Sequence, residues 1–306
     1  MYMIVLFYKY TEINNPTALI AWHREFCTPR GIKGRIFIAT EGINATLGGP
    51  DAAIEEYCTA LSTRPEFKEQ VIDFKYSAGD AHAFPRLKVV PKAQLVNFGV
   101  TIDLTTTPGG THVTPTQAHE LIKNNPGDLV VFDIRNSYET IVGTFTNAIT
   151  PQIKYFRDLP RAIEEHADTL RNKRVLMCCT GGIRCEKGSA YLKQQNIAQE
   201  VYQLEGGIHR YLEQYPDGYF RGSNYVFDER VVLPSTNTII STCARCATAC
   251  NSMINCLNAL CNKQFVVCDP CRITSGDCCS VPCDTLVAHA AVPVRAAQRA
   301  PVACSL

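Results

Sequence analysis

The chain has 306 residues, 46% of them hydrophobic and 19% charged, with a formal net charge of +1. That length suits two or three domains with ordinary cores, and the near-neutral balance supplies no bulk pull toward nucleic acid. No apolar run reaches the roughly 18 residues of a membrane span, so no membrane partner is expected.

Residues 1–7 are apolar but lack a basic leader and are soon followed by Lys9 and Glu12. They read as a first strand and not as a signal peptide. Strands are expected over 4–10, 35–40, 44–47 and 87–95, with helices over 16–26 and 52–61. Pro16 sits near the start of the first helix, where a missing N–H costs little. This βαββαβ order, with an extra strand near Phe74, predicts an α+β ferredoxin-like domain over residues 1–99. Residues 100–112, with Thr105-Thr106-Thr107-Pro108-Gly109-Gly110, have linker composition.

Residues 113–220 alternate strand and helix. Thr114-Pro115 opens a helix, and 129–134, 175–178 and 200–204 are short apolar runs of the kind buried in parallel sheets. An α/β domain is expected, with its site at the carboxyl ends of the strands. Residues 221–284 form a cysteine-rich module, and residues 285–306 a tail without clear period, expected to be poorly ordered. Ten of the 16 cysteines fall within residues 243–283. Without an export signal this favours a reducing, cytoplasmic setting with metal sites or free thiols over a disulfide scaffold.

The chemistry-bearing stretch is Cys179-Thr180-Gly181-Gly182-Ile183-Arg184-Cys185, between the strand ending at Cys178 and a helix expected over 186–194. Glycines let successive amides converge on one point, and the helix start adds unpaired donors. A thiol held there ionises more readily than its usual pKa of roughly 8.5 allows. Arg184 contributes a permanent forked cation. Cys185 reads as helix packing or as a resolving thiol for oxidised Cys179. Asp133 and Arg135 form a supporting pair under the loop, and Glu186 is a first-turn carboxylate that compensates the helix dipole.

This loop resembles the active loop of rhodaneses, and the likeness extends further. Arg35-Ile36-Phe37-Ile38-Ala39-Thr40-Glu41-Gly42-Ile43-Asn44-Ala45-Thr46-Leu47, Gln203-Leu204-Glu205-Gly206-Gly207-Ile208 and the stretch from Asp217 to Arg230 resemble the rhodanese-related tRNA uridine 5-hydroxylase family. The resemblance implies O2-dependent hydroxylation of the wobble uridine in the tRNA anticodon loop, with Cys179 essential. Departures are Cys178 where the family usually has tyrosine, Gly143-Thr144-Phe145 for Gly-His-Phe, and Gln94 for a usual glutamate. Four residues separate Cys179 from Arg184, the sulfurtransferase spacing; counted from Cys178 there are five, the spacing of related phosphatases. The resemblance places the reactive residue at Cys179.

Cys243 with Cys246, and Cys268 with Cys271, form two CxxC pairs suited to one tetrahedral structural zinc. Cys250, Cys256, Cys261, Cys278, Cys279 and Cys283 remain for a second site, and free thiols, disulfides or an iron–sulfur cluster would use the same residues. Arg35, Lys75, Arg86, Lys88 and Lys92, interspersed with aromatics, are candidate tRNA contacts. The motifs do not name an electron donor. Two rival readings stand beside the hydroxylase: a sulfurtransferase carrying a persulfide on Cys179, and a non-catalytic zinc-dependent RNA- or protein-binding module.

Overall fold

Side-chain alternation along the first strand decides how the N-terminal layer is built. In β1 (Tyr2–Tyr10) Val5 and Phe7 are buried in the domain core, while Leu6 and Tyr8 face the other way. The structure is a computed structural model and describes residues 1–295. β2 (Lys33–Ala39) and β3 (Gly42–Pro50) bury Ile36, Ile38, Ala45 and Leu47 on the same side as Val5. Helices α1 (Pro16–Cys27) and α2 (Asp51–Ser62) cover that side with Leu19, Ile20, Ile54, Tyr57 and Leu61. Asn15 caps α1 by accepting from the amide of Ala18 at 3.0 Å, and Pro16 occupies the first turn as expected.

With β4 (Lys75–Ala78) and β5 (Leu87–Pro91) the sheet runs β4-β1-β3-β2-β5. The ferredoxin-like core is present, with one reassignment: the strand beside Phe74 is the fourth strand of the core. The strand expected to close the motif is instead the addition, parallel to β2 on the outer edge.

The second domain is a parallel sheet in the order β6-β10-β9-β7, from β6 (Thr111–Val113), β7 (Leu129–Asp133), β9 (Arg174–Cys178) and β10 (Glu200–Leu204). Helices α5 (Leu159–Glu165) and α7 (Ile183–Gln194) pack on one face. Helices α3 (Pro115–Lys123) and α8 (Gly207–Gln214) pack on the other. Short helices α4 (Ser137–Thr140) and α6 (Ala167–Leu170) join these elements. The stretch read as a linker is partly core, since Ile102 is buried with α5 and α7, and Phe98, expected in the first domain, joins the same core.

β8 (Gly143–Phe145), β11 (Phe220–Tyr225) and β12 (Val232–Pro234) form an antiparallel sheet, so the boundary expected at 220 falls within a strand. The cysteine-rich module holds the hairpin β13 (Met253–Asn255) and β14 (Gln264–Val266), then α9 (Asp269–Ser275) and α10 (Val281–Ala288). The tail expectation needs correction for residues 285–295. Cys283 anchors α10 in the module core, and the chain returns to pair Val294 with Asn258. The rest of the tail, 296–306, lies outside the described residues. Among the described residues, no helix is long and apolar enough to cross a membrane.

Beneath the strand ends, Arg135 and Asp133 are both fully buried and bonded at 2.6 and 2.9 Å. Thr144 and the Gly143 carbonyl complete the network. The pair is a structural strut, and its position places Thr144 where the family usually has histidine. Asp133→Ala strands a buried guanidinium, so urea unfolding is expected to report a loss of about 3–5 kcal/mol. A loss below about 1 kcal/mol, the range of surface pairs, would contradict that role.

Candidate active site at the domain junction

Strand alternation separates the two adjacent cysteines. Cys178 packs with the α3 and α8 face, its thiol directed at the Phe132 carbonyl at 4.0 Å. Burial pushes that thiol well above the ordinary range. Cys179 turns to the other side and lines a cavity of about 340 Å³, near the lower end of the usual range for small-ligand sites of about 300–1,000 Å³. Of the two adjacent cysteines only Cys179 is among the cavity-lining residues.

The loop that follows is built from backbone. Gly182, at φ +100°, caps α7 and points its amide at the Cys179 sulfur, 3.2 Å away. α7 begins at Ile183, earlier than expected, so Arg184 lies in the first turn. From behind, Ile208 and His209 donate their amides to the carbonyls of Cys179 and Thr180 at 2.9 and 3.1 Å. Gly207, at φ +69°, permits that approach; a Cβ there would stand 2.5 Å from the Cys179 carbonyl oxygen. The Gly206-Gly207-Ile208 motif is thus the backing of the loop.

Arg184 does not stand free in the cavity. Its guanidinium grips the fully buried Glu139 with two bonds of 2.5 and 2.7 Å, and Thr180 donates to the same carboxylate at 3.3 Å. Glu139 also accepts the Asn136 amide at 3.1 Å, closing the N-terminus of α4. Burial alone would push the Cys179 thiol up. A hydrogen bond from Cys185, the charge of Arg184, and the amides of Arg184 and Gly182 outweigh it and bring the thiol down to about 6. Cys185 is itself driven well up, by burial first and then by Cys179, so it serves as a neutral donor.

The N-terminal sheet closes the other side. Its uncovered face carries two cross-strand rows, Leu6-Thr46-Arg35 and Tyr8-Asn44-Phe37, and all six residues line the cavity. Lys88 continues the first row beside Arg35 and is exposed. Lys92 sits 5.1 Å from the Phe37 ring centroid, and Arg86 is exposed just before β5. Lys75 is the exception among the expected tRNA contacts. It is 1% exposed and bound to Asp73 at 2.7 Å, because β4 is a structural edge pressed toward α8. Across the cavity, Tyr155, Arg157 and Phe227 form a wall that the motif search did not single out as site residues. Glu139 also escaped notice, since its only sequence signal is the Asn136-x-x-Glu139 capping box.

Glu186 and Lys187 join the domains. Glu186 accepts from the Tyr8 hydroxyl at 2.9 Å and contacts His112 at 3.1 Å. Lys187, 1% exposed, binds Glu41 at 2.9 Å and Gln94 at 3.4 Å. The carboxylate missing at Gln94 is therefore covered by Glu41.

In the cysteine-rich module, none of the described cysteines forms a disulfide. The sulfurs of Cys243, Cys246, Cys268 and Cys271 lie within 4.8 Å of one another, those of Cys246 and Cys268 3.6 Å apart. A single ion with Zn–S bonds of about 2.3 Å spaces tetrahedral sulfurs by about 3.8 Å, so the four thiols fit one zinc.

A cysteine at the end of a parallel strand, cradled by loop amides in front of an α/β helix, defines a rhodanese-type domain. A family model described as rhodanese-like domain matches residues 114–214, flanked by an acylphosphatase-like UPF0176 domain model over 2–95 and a rhodanese C-terminal model over 221–284. The chain is 38% identical to a tRNA uridine(34) hydroxylase of Corynebacterium urealyticum over 288 residues, covering 90% of this chain and 96% of that one. It is also 38% identical to proteins of that name from Cytophaga hutchinsonii, covering 92% and 89%, and Listeria welshimeri, covering 87% and 83%. The chain belongs to this family of rhodanese-related proteins. A rhodanese-related protein of Thermoplasma volcanium is similar in structure over 34% of this chain and 92% of that one, with 25% identity and a TM-score of 0.28.

Alkylation by iodoacetamide, resolved by peptide mass spectrometry, is expected to be selective for Cys179 over Cys178 and Cys185. Its rate rises with pH as thiolate forms, with a midpoint at about 6. Glu139→Gln, which loosens the hold on Arg184, shifts that profile. A wild-type midpoint near the usual thiol value of about 8.5 would contradict the electrostatic assignment.

Proposed function

We propose that this protein hydroxylates C5 of the wobble uridine of tRNA, with Cys179 as the reacting group and O2 as oxidant. The observation that carries this reading is the 38% identity, across 90% of the chain, to a protein named tRNA uridine(34) hydroxylase. The site adds chemical sense. The cavity has aromatic walls at Tyr8, Phe37 and Phe227 and ends at the Cys179 loop, which suits a planar base inserted edge first. An anticodon loop already presents its wobble base, so little unstacking is required.

Converting uridine to 5-hydroxyuridine inserts one oxygen atom from O2. The second oxygen leaves as water, taking two electrons and two protons from an external reductant. Cys179, as a thiolate, is a nucleophile for C6 of the ring, and its addition places electron density on C5, the atom to be oxidised. The loop amides stabilise the anion of the thiolate state, while Arg184 acts from its Glu139 clamp by holding the loop and lowering the thiol. Arg35 and Arg157 stand on opposite walls and suit phosphates on either side of the inserted nucleotide, with Lys88, Lys92 and Arg86 extending the basic edge. Cys243, Cys246, Cys268 and Cys271 hold a structural zinc.

A persulfide sulfurtransferase requires the loop but leaves the apolar cavity and the N-terminal sheet without a task. A binding module without turnover leaves the lowered thiol unexplained. Purified protein, tRNA and a chemical reductant under 18O2 are expected to yield 5-hydroxyuridine carrying one 18O, and Cys179→Ser to yield none. Cyanide-dependent thiocyanate release from thiosulfate without any 18O product would establish the sulfurtransferase instead. Arg35→Ala and Arg157→Ala are each expected to weaken tRNA binding and reduce its salt slope by about one. Unchanged slopes would remove those residues from the interface.

A further inference from the structure

A second group of cysteines is left over from the reactive loop and the double CxxC. Cys256, Cys261, Cys279 and Cys283 have sulfurs that all lie within 4.8 Å of one another. Cys261 and Cys279 are 3.6 Å apart, and Cys279 and Cys283 3.9 Å. A disulfide needs about 2.0 Å. In an iron–sulfur cluster the four thiolates are divided among two or more irons, and those on different irons spread wider than the edges of a one-ion tetrahedron. These distances match the edge of about 3.8 Å set by a single ion with Zn–S bonds of about 2.3 Å.

Neighbouring groups support the same use. The Cys279 amide points at the Cys256 sulfur at 3.4 Å, and the buried Asn258 directs its side-chain amide at the Cys283 sulfur at 3.5 Å. Donors aimed at sulfur are the outer-shell contacts expected around thiolate ligands. Neither Cys250 nor Cys278 belongs to either group.

We propose that these four thiolates bind a second tetrahedral zinc, and that the two ions together brace one wall of the cavity. Ligand pairs follow the chain as 243/246, 256/261, 268/271 and 279/283. The first site takes the first and third pairs, the second site the second and fourth. Each ion therefore closes a loop that contains half of the other site. This crossed arrangement substitutes for a large core in a short segment.

The braced hairpin β13–β14 reaches the site. Met253 and Val266 pack with Tyr138, Val142 and Tyr225, and Tyr225 and Gln264 exchange bonds of 2.8 and 3.1 Å. Tyr138 immediately precedes Glu139, and the Tyr225 ring lies 5.1 Å from that of Phe227 on the cavity wall. This inference does not depend on the hydroxylation reading, and its test is independent of activity.

Full-length protein from cells supplied with both zinc and iron is analysed for metal content. Two zinc ions per chain are expected, with both released as eight thiols react with an organomercurial. Cys261→Ser/Cys279→Ser is expected to retain no more than one zinc, with the secondary structure of the rhodanese domain preserved by circular dichroism. One zinc per wild-type chain, or iron with visible absorption, overturns the second site. Two zinc ions retained by the double variant overturn its ligands. The wild-type measurement decides the matter even if the variant does not fold.

Discussion

The joint on helix α7 is the contact on which the site depends. Glu186 and Lys187 are consecutive, one held by Tyr8 and the other by Glu41, so both face the N-terminal sheet from the helix that starts at the reactive loop. A lysine 1% exposed is tolerable only while its carboxylate is in place. Docking of the first domain is thereby tied to the same helix that orients the Gly182 amide. Without the joint there is a loop but no cavity between it and the N-terminal sheet.

Within that enclosure, charge is distributed unevenly on purpose-built backbone. Arg184 and Glu139 neutralise one another at bonding distance, so the guanidinium contributes orientation and a directed field, not a free positive charge. Loop amides and the neutral Cys185 supply the rest. The same dry surroundings push Cys178 and Cys185 up while Cys179 comes down. Of these three thiols only Cys179 is drawn toward the thiolate, because the donors converge on it.

Much of this was legible in the sequence, and the losses have physical reasons. The reactive loop could be read because glycines, a strand end and a helix start impose local geometry. The ferredoxin-like order was visible as well, yet β4 and β5 exchanged roles because edge pairing is settled by long-range register. Lys75 looked like a surface cation but is drawn inward by Asp73, and Ile102 looked like linker but is core. Glu139 and Arg157 stayed hidden because they join the site only through the fold. The second thiol group was visible merely as surplus cysteines, since only the crossed folding of the module chooses Cys256 and Cys283 over Cys250 and Cys278.

The central claim is that Cys179 in this cavity makes 5-hydroxyuridine. It is tested most directly by nucleoside mass spectrometry of tRNA from cells lacking the protein, complemented with wild type or with Cys179→Ala. The account predicts that 5-hydroxyuridine and its derivatives fall without the protein and return only with the wild type. Unchanged 5-hydroxyuridine, with or without a fall in a thiolated nucleoside, would contradict it.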